Sequence, residues 1–198
     1  MNKEEHIQNV AIAEADNKSS KRRRFSKPAL VKSITLKSCQ SQRLFEHLFK
    51  RVNANLYEVT KVLRLQGRVR DAYENEKVLD HLFLTAESEI ALTIQALSQE
   101  VARFEEMKDG GSLVYDLEKR VQCNCFTGYS VRMLAIFSQF DLVVALVDTL
   151  EISGKLSHSY AASTIRSWDK RLRTFCQTVS ELRNRHHSQE VVKEVEDD

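Results

Sequence analysis

Five glycines and one proline in 198 residues leave this chain few places to turn. A sandwich or barrel of short strands needs turn residues every ~8–12 positions, so an all-β fold is excluded. A mainly helical protein is expected, and an apolar share of 42% is enough for a packed core.

Within that helical frame, residues 127–134 read as a strand. Tyr129, Val131 and Met133 alternate with Ser130, Arg132 and Leu134, and successive side chains of a strand point to opposite faces. An apolar helical run, 137–152, comes next. A turn at Ser153-Gly154-Lys155 and an amphipathic helix from Ser157 complete a strand–helix–helix order. Ribbon-helix-helix units have that order: two chains pair their strands and lay the ribbon in the DNA major groove. The expected architecture is mainly α, with long helices plus a short β-ribbon, as a ribbon-helix-helix-like dimer with a helical extension.

In such a ribbon Ser130, Arg132 and Leu134 would face the bases. The arginine fork can make two hydrogen bonds to guanine O6 and N7. An exposed, salt-bridged arginine is the competing account of Arg132. Lys155, Ser157, His158 and Ser159 stand at the start of the second helix. Free N–H groups and the helix dipole there suit a DNA phosphate, although Ser157 also reads as a plain N-cap. A rival strand lies at 31–37, with Ile34 and Leu36 on one face and Ser33, Thr35 and Lys37 on the other as alternative reading residues. The later copy is preferred for its glycine-bearing turn and its more apolar first helix.

Four segments are expected. Residues 1–28 read as a disordered basic tail whose Arg22, Arg23 and Arg24 could touch phosphates. Residues 29–109 read as a helical region behind a short strand. A helix over 40–65 is open to a break at Asn53-Ala54-Asn55 and stops at Gly67, and 71–108 forms one long helix or two. Asp109-Gly110-Gly111-Ser112 marks a boundary, a short helix occupies 113–121, and 110–187 holds the strand–helix–helix unit. Residues 188–198 form an acidic tail, also expected to be disordered.

Net charge is only +2, but it is unevenly spread. Residues 21–51 hold ten basic side chains against Glu46, a net +9. Residues 71–109 hold ten acidic against three basic, a net −7, and residues 155–187 seven basic against two acidic, a net +5. The partition fits a basic working face opposite an acidic side, and ordinary solvated helix faces would give the same pattern. The first sixteen residues carry acids and no long apolar run, and the longest such run, 142–147, is too short to span a bilayer. Cys39, Cys123, Cys125 and Cys176 then read as free thiols of a cytoplasmic protein.

Signatures of chemistry are scarce. Cys123-Asn124-Cys125 lacks two further ligands at zinc spacing and reads better as a half-buried strand with small apolar thiols. There is no glycine-rich phosphate loop, no nucleophile elbow and no His-Glu-x-x-His. No enzyme, metal or cofactor is expected. Trp168, Leu172 and Phe175 lie at helical spacing and suit packing.

Tyr129-Ser130-Val131, Phe140-Asp141-Leu142-Val143, the run 148–157 and Ile165-Arg166-Ser167-Trp168 resemble the AcaB family of transcriptional regulators. That family is encoded on conjugative plasmids and integrative conjugative elements. Ile34-Thr35-Leu36-Lys37 and Leu44-Phe45 resemble the start of the same domain, so the resemblance spans residues 31–183. It implies a DNA-binding activator of transfer genes with a ribbon-helix-helix-like unit. The expected partners are double-stranded DNA and a second copy of the chain, with RNA polymerase a further candidate and no membrane. The alternative is a helical adaptor of a mobile element that does not bind DNA.

Overall fold

The computed structural model describes residues 28–105 and 113–196. Strand β1, Leu30–Leu36, leads into helix α1, Cys39–Tyr57, which is extended by a π-helical turn, Glu58–Val62, and a last turn, Leu63–Leu65. Helix α2, Val69–Glu105, is unbroken. After it come strand β2, Lys119–Cys125, helix α3, Gly128–Ile152, and helix α4, His158–Glu196. The fold is mainly helical with one two-stranded antiparallel ribbon.

Residues 127–134 are helical, contrary to the strand expected there. Thr127 is extended, its side chain accepts the Ser130 N–H, and α3 starts at Gly128. The apparent alternation is the first turns of a helical stripe: Ser130, Met133, Leu134 and Phe137 are buried at spacings of three and four. The strand lies just upstream, replacing the short helix expected at 113–121. Cys123 and Cys125 point inward from β2, while Arg120, Gln122 and Asn124 alternate outward. Asn53-Ala54-Asn55 does not break α1. Asn53 Nδ2 donates to the Asn124 carbonyl and Asn55 Nδ2 to Ser180 Oγ, so both asparagines tie α1 to its neighbours. The π turn leaves the Val59 carbonyl to a buried partner from α2, Asn75 Nδ2 at 3.1 Å. The chain stays helical to Glu196, into the stretch expected to be a disordered tail. The basic tail at 1–27 and the boundary at 109–112 lie outside the described residues.

Of the two rival strand candidates the ribbon contains only the first, 31–37; its partner is β2, which shares no residue with 127–134. Leu30 stands opposite Cys125 and Leu36 opposite Lys119. Both strands therefore come from one chain, where pairing between two chains was expected.

That pairing exposes a repeat hidden in the sequence. An offset of 89 residues carries the start of β1 onto β2 (30 to 119), of α1 onto α3 (39 to 128) and of α2 onto α4 (69 to 158). The caps repeat as well. Ser38 Oγ lies 2.7 Å from Ser41 Oγ, and Thr127 Oγ1 lies 2.9 Å from Ser130 Oγ, each pair closing the first turn of its helix. Each first helix ends at a glycine in the left-handed region, Gly67 (φ 80°) and Gly154 (φ 70°).

One hydrophobic core joins the two β–α–α halves, from Ile34 and Leu36 through Leu79 and Phe83 to Phe137, Val144, Trp168 and Leu182. At its centre runs α3, with Met133, Ile136, Phe137, Phe140, Val143, Val144, Val147 and Leu150 all buried. This helix is long and apolar enough to cross a membrane by length and composition; in the fold most of its apolar side chains line the core, while Leu142 and Ile152 are exposed. The one carboxylate buried within it, Asp141, accepts the Lys37 N–H (2.9 Å), the Ser38 N–H (2.9 Å) and the Ser38 hydroxyl (2.8 Å). It thereby caps α1 and fixes the exit of β1. Tyr115 donates to Asp148 at 2.7 Å, pinning the approach to β2 onto the same helix.

Asp141→Asn leaves one of these buried donors facing an amide N–H instead of an oxygen. The expected loss of folding free energy is about 1–3 kcal/mol in urea titration. Gly154→Ala, which forces a β-carbon into the left-handed region, should cost about 1–2 kcal/mol by the same measurement.

Candidate nucleic-acid interface

The outward face of the ribbon follows from alternation and register. Ile34 and Leu36 from β1, with Cys123 and Cys125 from β2, face the core. The opposite face presents Val31, Ser33 and Thr35 from β1, directly opposite Asn124, Gln122 and Arg120. All six are exposed and none is acidic. Among the described residues, Ser33, Thr35, Arg120 and Gln122 have no side-chain hydrogen bond or ion pair.

The ribbon is held firmly from behind. Gln42 Nε2 of α1 donates to the Leu36 carbonyl at 3.1 Å and the Leu117 carbonyl at 2.8 Å. Lys37 pairs with Glu118 at 3.8 Å, and Lys119 with Glu46. The hydrogen bond and charge of Lys119 hold the Glu46 carboxyl below its usual range. Glu118 and Glu46 are thus met by flanking lysines, and Arg120 is left without an ion pair among the described residues.

The residues expected to read bases do not form such a face. Ser130 and Leu134 are buried, at 0% and 6% exposure, and neither offers a surface to a base. Arg132 is committed elsewhere. Its Nε and Nη2 fork onto Glu87 at 2.9 and 2.8 Å, its Nη1 reaches Asp80 at 3.2 Å, and its guanidinium lies 4.7 Å from the Phe83 ring centre. The hydrogen bonds to Glu87 hold it above its ordinary pKa. Tyr129 extends the knot, donating to Asp80 at 3.0 Å. Burial first, and then that bond, pushes its hydroxyl up to about 12. This cluster fastens the start of α3 to the acidic helix α2.

The group expected to hold phosphate forms a local N-cap, with the Glu151 carboxylate beside it. Ser157 and Ser159 hydroxyls lie 3.1 Å apart, and Ser157 Oγ receives the Tyr160 N–H at 3.4 Å, an N-cap contact. His158 Nδ1 is 2.7 Å from Glu151 Oε1, so a carboxylate already occupies that ring nitrogen. Lys155 lies in the same turn. The turn sits roughly 17 Å along α3 beyond Asp141, at 1.5 Å per residue. Arg22, Arg23 and Arg24 lie outside the described residues.

Thr35 and Ser33 were visible in the sequence as the rival reading face. Cys123-Asn124-Cys125 read as a half-buried strand and is the end of β2, but Arg120, Gln122 and Asn124 were not singled out as an outward face, in part because 113–121 read as helix. The signal that could have found them was the alternation Arg-Val-Gln-Cys-Asn-Cys, whose cysteines behave as small apolar residues. Among the described residues, no group of three or more His, Cys, Asp or Glu side chains is placed to hold a metal ion. Burial raises the Cys123 and Cys125 thiols and pushes Cys176 up to about 12.

Comparison with known proteins places the fold. No protein-family model matches the chain, and no curated protein does. Among solved structures, the chain is similar to selenomethionine-containing AcaB from uropathogenic E. coli, with a TM-score of 0.68 and 18% identity. The match covers 86% of this chain and 89% of that one. At that identity the likeness is one of fold, and it agrees with the family that residues 31–183 resemble.

Arg132→Ala should lower stability by about 1–2 kcal/mol, after allowance for its partial exposure, and leave any nucleic-acid preference unchanged. Denaturation and binding titrations on one preparation check both halves. A thiol reagent at pH 8 should modify exposed Cys39 alone, with the three buried cysteines reacting only in denaturant. Cys176 ionises more easily unfolded (about 9.0) than folded (about 12). Its share of stability is therefore complete below pH 9 and lost as pH rises from 9 towards 12.

Proposed function

We propose that this chain is a DNA-binding transcriptional regulator that sets the outward face of its β1–β2 ribbon in the major groove. The observation that carries this reading is the ribbon itself. It is a two-stranded surface with Ser33, Thr35, Arg120 and Gln122 exposed, free of carboxylates and without side-chain partners among the described residues. The major groove, about 12 Å wide, admits a two-stranded ribbon. Arginine, glutamine and asparagine are the side chains that make paired hydrogen bonds to guanine and adenine edges.

The electrostatics support the same reading. Lys21, Arg22, Arg23, Arg24 and Lys27 precede β1 by only three to nine residues. A chain leaving the end of the ribbon there can follow the phosphate backbone, giving affinity without sequence preference. The likeness in fold to AcaB is in keeping with this reading, and the family resemblance of residues 31–183 implies a regulatory role in activating conjugative-transfer genes. Because one chain supplies both strands, base reading in this scheme does not depend on a homodimer. Dimerisation or contact with RNA polymerase would fall to other surfaces, such as α2 with its exposed Leu84 and Leu92. Those leucines are also the surface that a helical adaptor without DNA binding would use.

Fluorescence anisotropy with duplexes from the chain's own promoters tests the proposal. Log affinity should fall linearly with log salt, the slope steepening by about 0.9 per phosphate neutralised. Removal of residues 1–27 should weaken binding to all duplexes alike. A response flat in salt, or no binding to any duplex, would favour the adaptor reading.

A further inference from the structure

The two halves of the ribbon are related in backbone but not in side chains. The 89-residue offset carries Val31 onto Arg120, Ser33 onto Gln122 and Thr35 onto Asn124. The register sets Ser33 directly opposite Gln122, its own counterpart, so the pseudo-two-fold axis passes through that pair. On one side of the axis Thr35 faces Arg120. On the other, Val31 faces Asn124. A ribbon built from two identical chains would carry the same residues on both sides and would read an inverted repeat. This ribbon cannot, because its two ends differ in kind.

We infer that one copy of this chain is a complete reading head and that its target is a short, non-palindromic duplex segment. The segment carries a G·C pair under the Arg120 end and an A·T pair under the Asn124 end. This rests on the DNA reading proposed above and deepens it. Arginine offers five donors and no acceptor, which matches the paired acceptors O6 and N7 of guanine. Asparagine offers one acceptor and two donors, which matches the N6 donor and N7 acceptor of adenine. Val31, beside Asn124, adds an apolar surface for the thymine methyl that an A·T pair presents in the same groove. Arg120 and Asn124 are four residues apart on β2, about 13 Å at strand rise. That is about four base-pair steps at 3.4 Å. Gln122 and Ser33 lie over the middle of this span. Neither end has an acidic side chain among its outward residues, so nothing on the face repels the groove.

The full chain, incubated with a pool of duplexes randomised in the core, tests this by repeated selection and sequencing. The selected duplex and protein are then weighed together by sedimentation. The expected motif lacks two-fold symmetry, has guanine at one end and an A·T pair about four steps away, and binds one chain per duplex. Arg120→Ala should flatten the preference at the guanine end by on the order of tenfold and leave the A·T end intact. Asn124→Ala should do the reverse. Both side chains are exposed, so circular dichroism and the denaturation midpoint should match the parent. A selected inverted repeat bound by two chains would overturn the inference while leaving the DNA reading in place. So would loss of preference at both ends with either substitution. Failure to enrich any duplex would remove the DNA reading and this inference together.

Discussion

Asp141 sits in the middle of the most apolar helix of the fold, yet its carboxylate is turned wholly to the chain crossing above it. It collects the N–H groups of Lys37 and Ser38 and the hydroxyl of Ser38, at the point where β1 ends and α1 begins. A carboxylate buried without partners would be very costly; here three donors and the positive end of α1 satisfy it. The bond is between elements more than 100 residues apart in sequence, so it closes the two halves of the protein onto each other. The ribbon's position over the core follows from it. Leu36 and Ile34 reach the core because the chain is held at Ser38, and β2 is then aligned by Gln42 and by the Asn53 contact to Asn124.

The pseudo-two-fold arrangement is broken at this same residue. The position equivalent to Asp141 in the first half is Val52, which is buried and apolar. The start of α3 instead relies on Thr127 and Ser130 for its cap, and on the Arg132–Glu87–Asp80 cluster to fasten it to α2. The two halves therefore share an architecture but anchor it by different chemistry, one with a buried carboxylate and the other with a partly exposed charge cluster. Surface clusters of that kind weaken as salt rises, and buried hydrogen bonds much less. The acidic helix α2, whose charge had no assigned role in the sequence, spends part of it on Arg132 and Arg171.

Much of the helical content was legible. Scarce glycine and proline, the spacing of leucine and phenylalanine, and the glycines at 67 and 154 all announced helices and their ends. Strand β1 was also legible, from Ile34 and Leu36 alternating with Ser33 and Thr35. The second strand was legible only at its end, where Cys123-Asn124-Cys125 read as half-buried strand; the rest was not, for a physical reason. Short segments fit both periods: from Tyr129 to Met133 apolar and polar residues alternate, yet the same segment begins a stripe continued by Phe137 and Phe140. In β2 only Cys123 and Cys125 are buried, so the stretch from Lys119 to Gln122 offered little alternation beyond Val121 to extend that strand upstream. The repeat was hidden because only burial and capping are shared across the 89-residue offset, as at Ser41 and Ser130, while most side chains differ. Arg132 was drawn to DNA by its type and placed by a mistaken frame. Its true partners lie on α2, and no local pattern could name them.

The ribbon's two strands also lie far apart along the chain. Leu36 meets Lys119, and Leu30 meets Cys125, so 83 to 95 residues separate the partners. During synthesis, at about 5–20 residues per second, β1 emerges seconds before anything can pair with it. Helices α1 and α2 can form from local contacts in that interval, whereas β1 stays an open edge with its N–H and C=O groups unpaired. Closure of the ribbon therefore has to wait until β2 has been made and α3 brings Asp141 beneath Ser38. A nascent chain stopped short of residue 125 would offer β1 to any other strand in reach, including the β1 of a neighbouring copy.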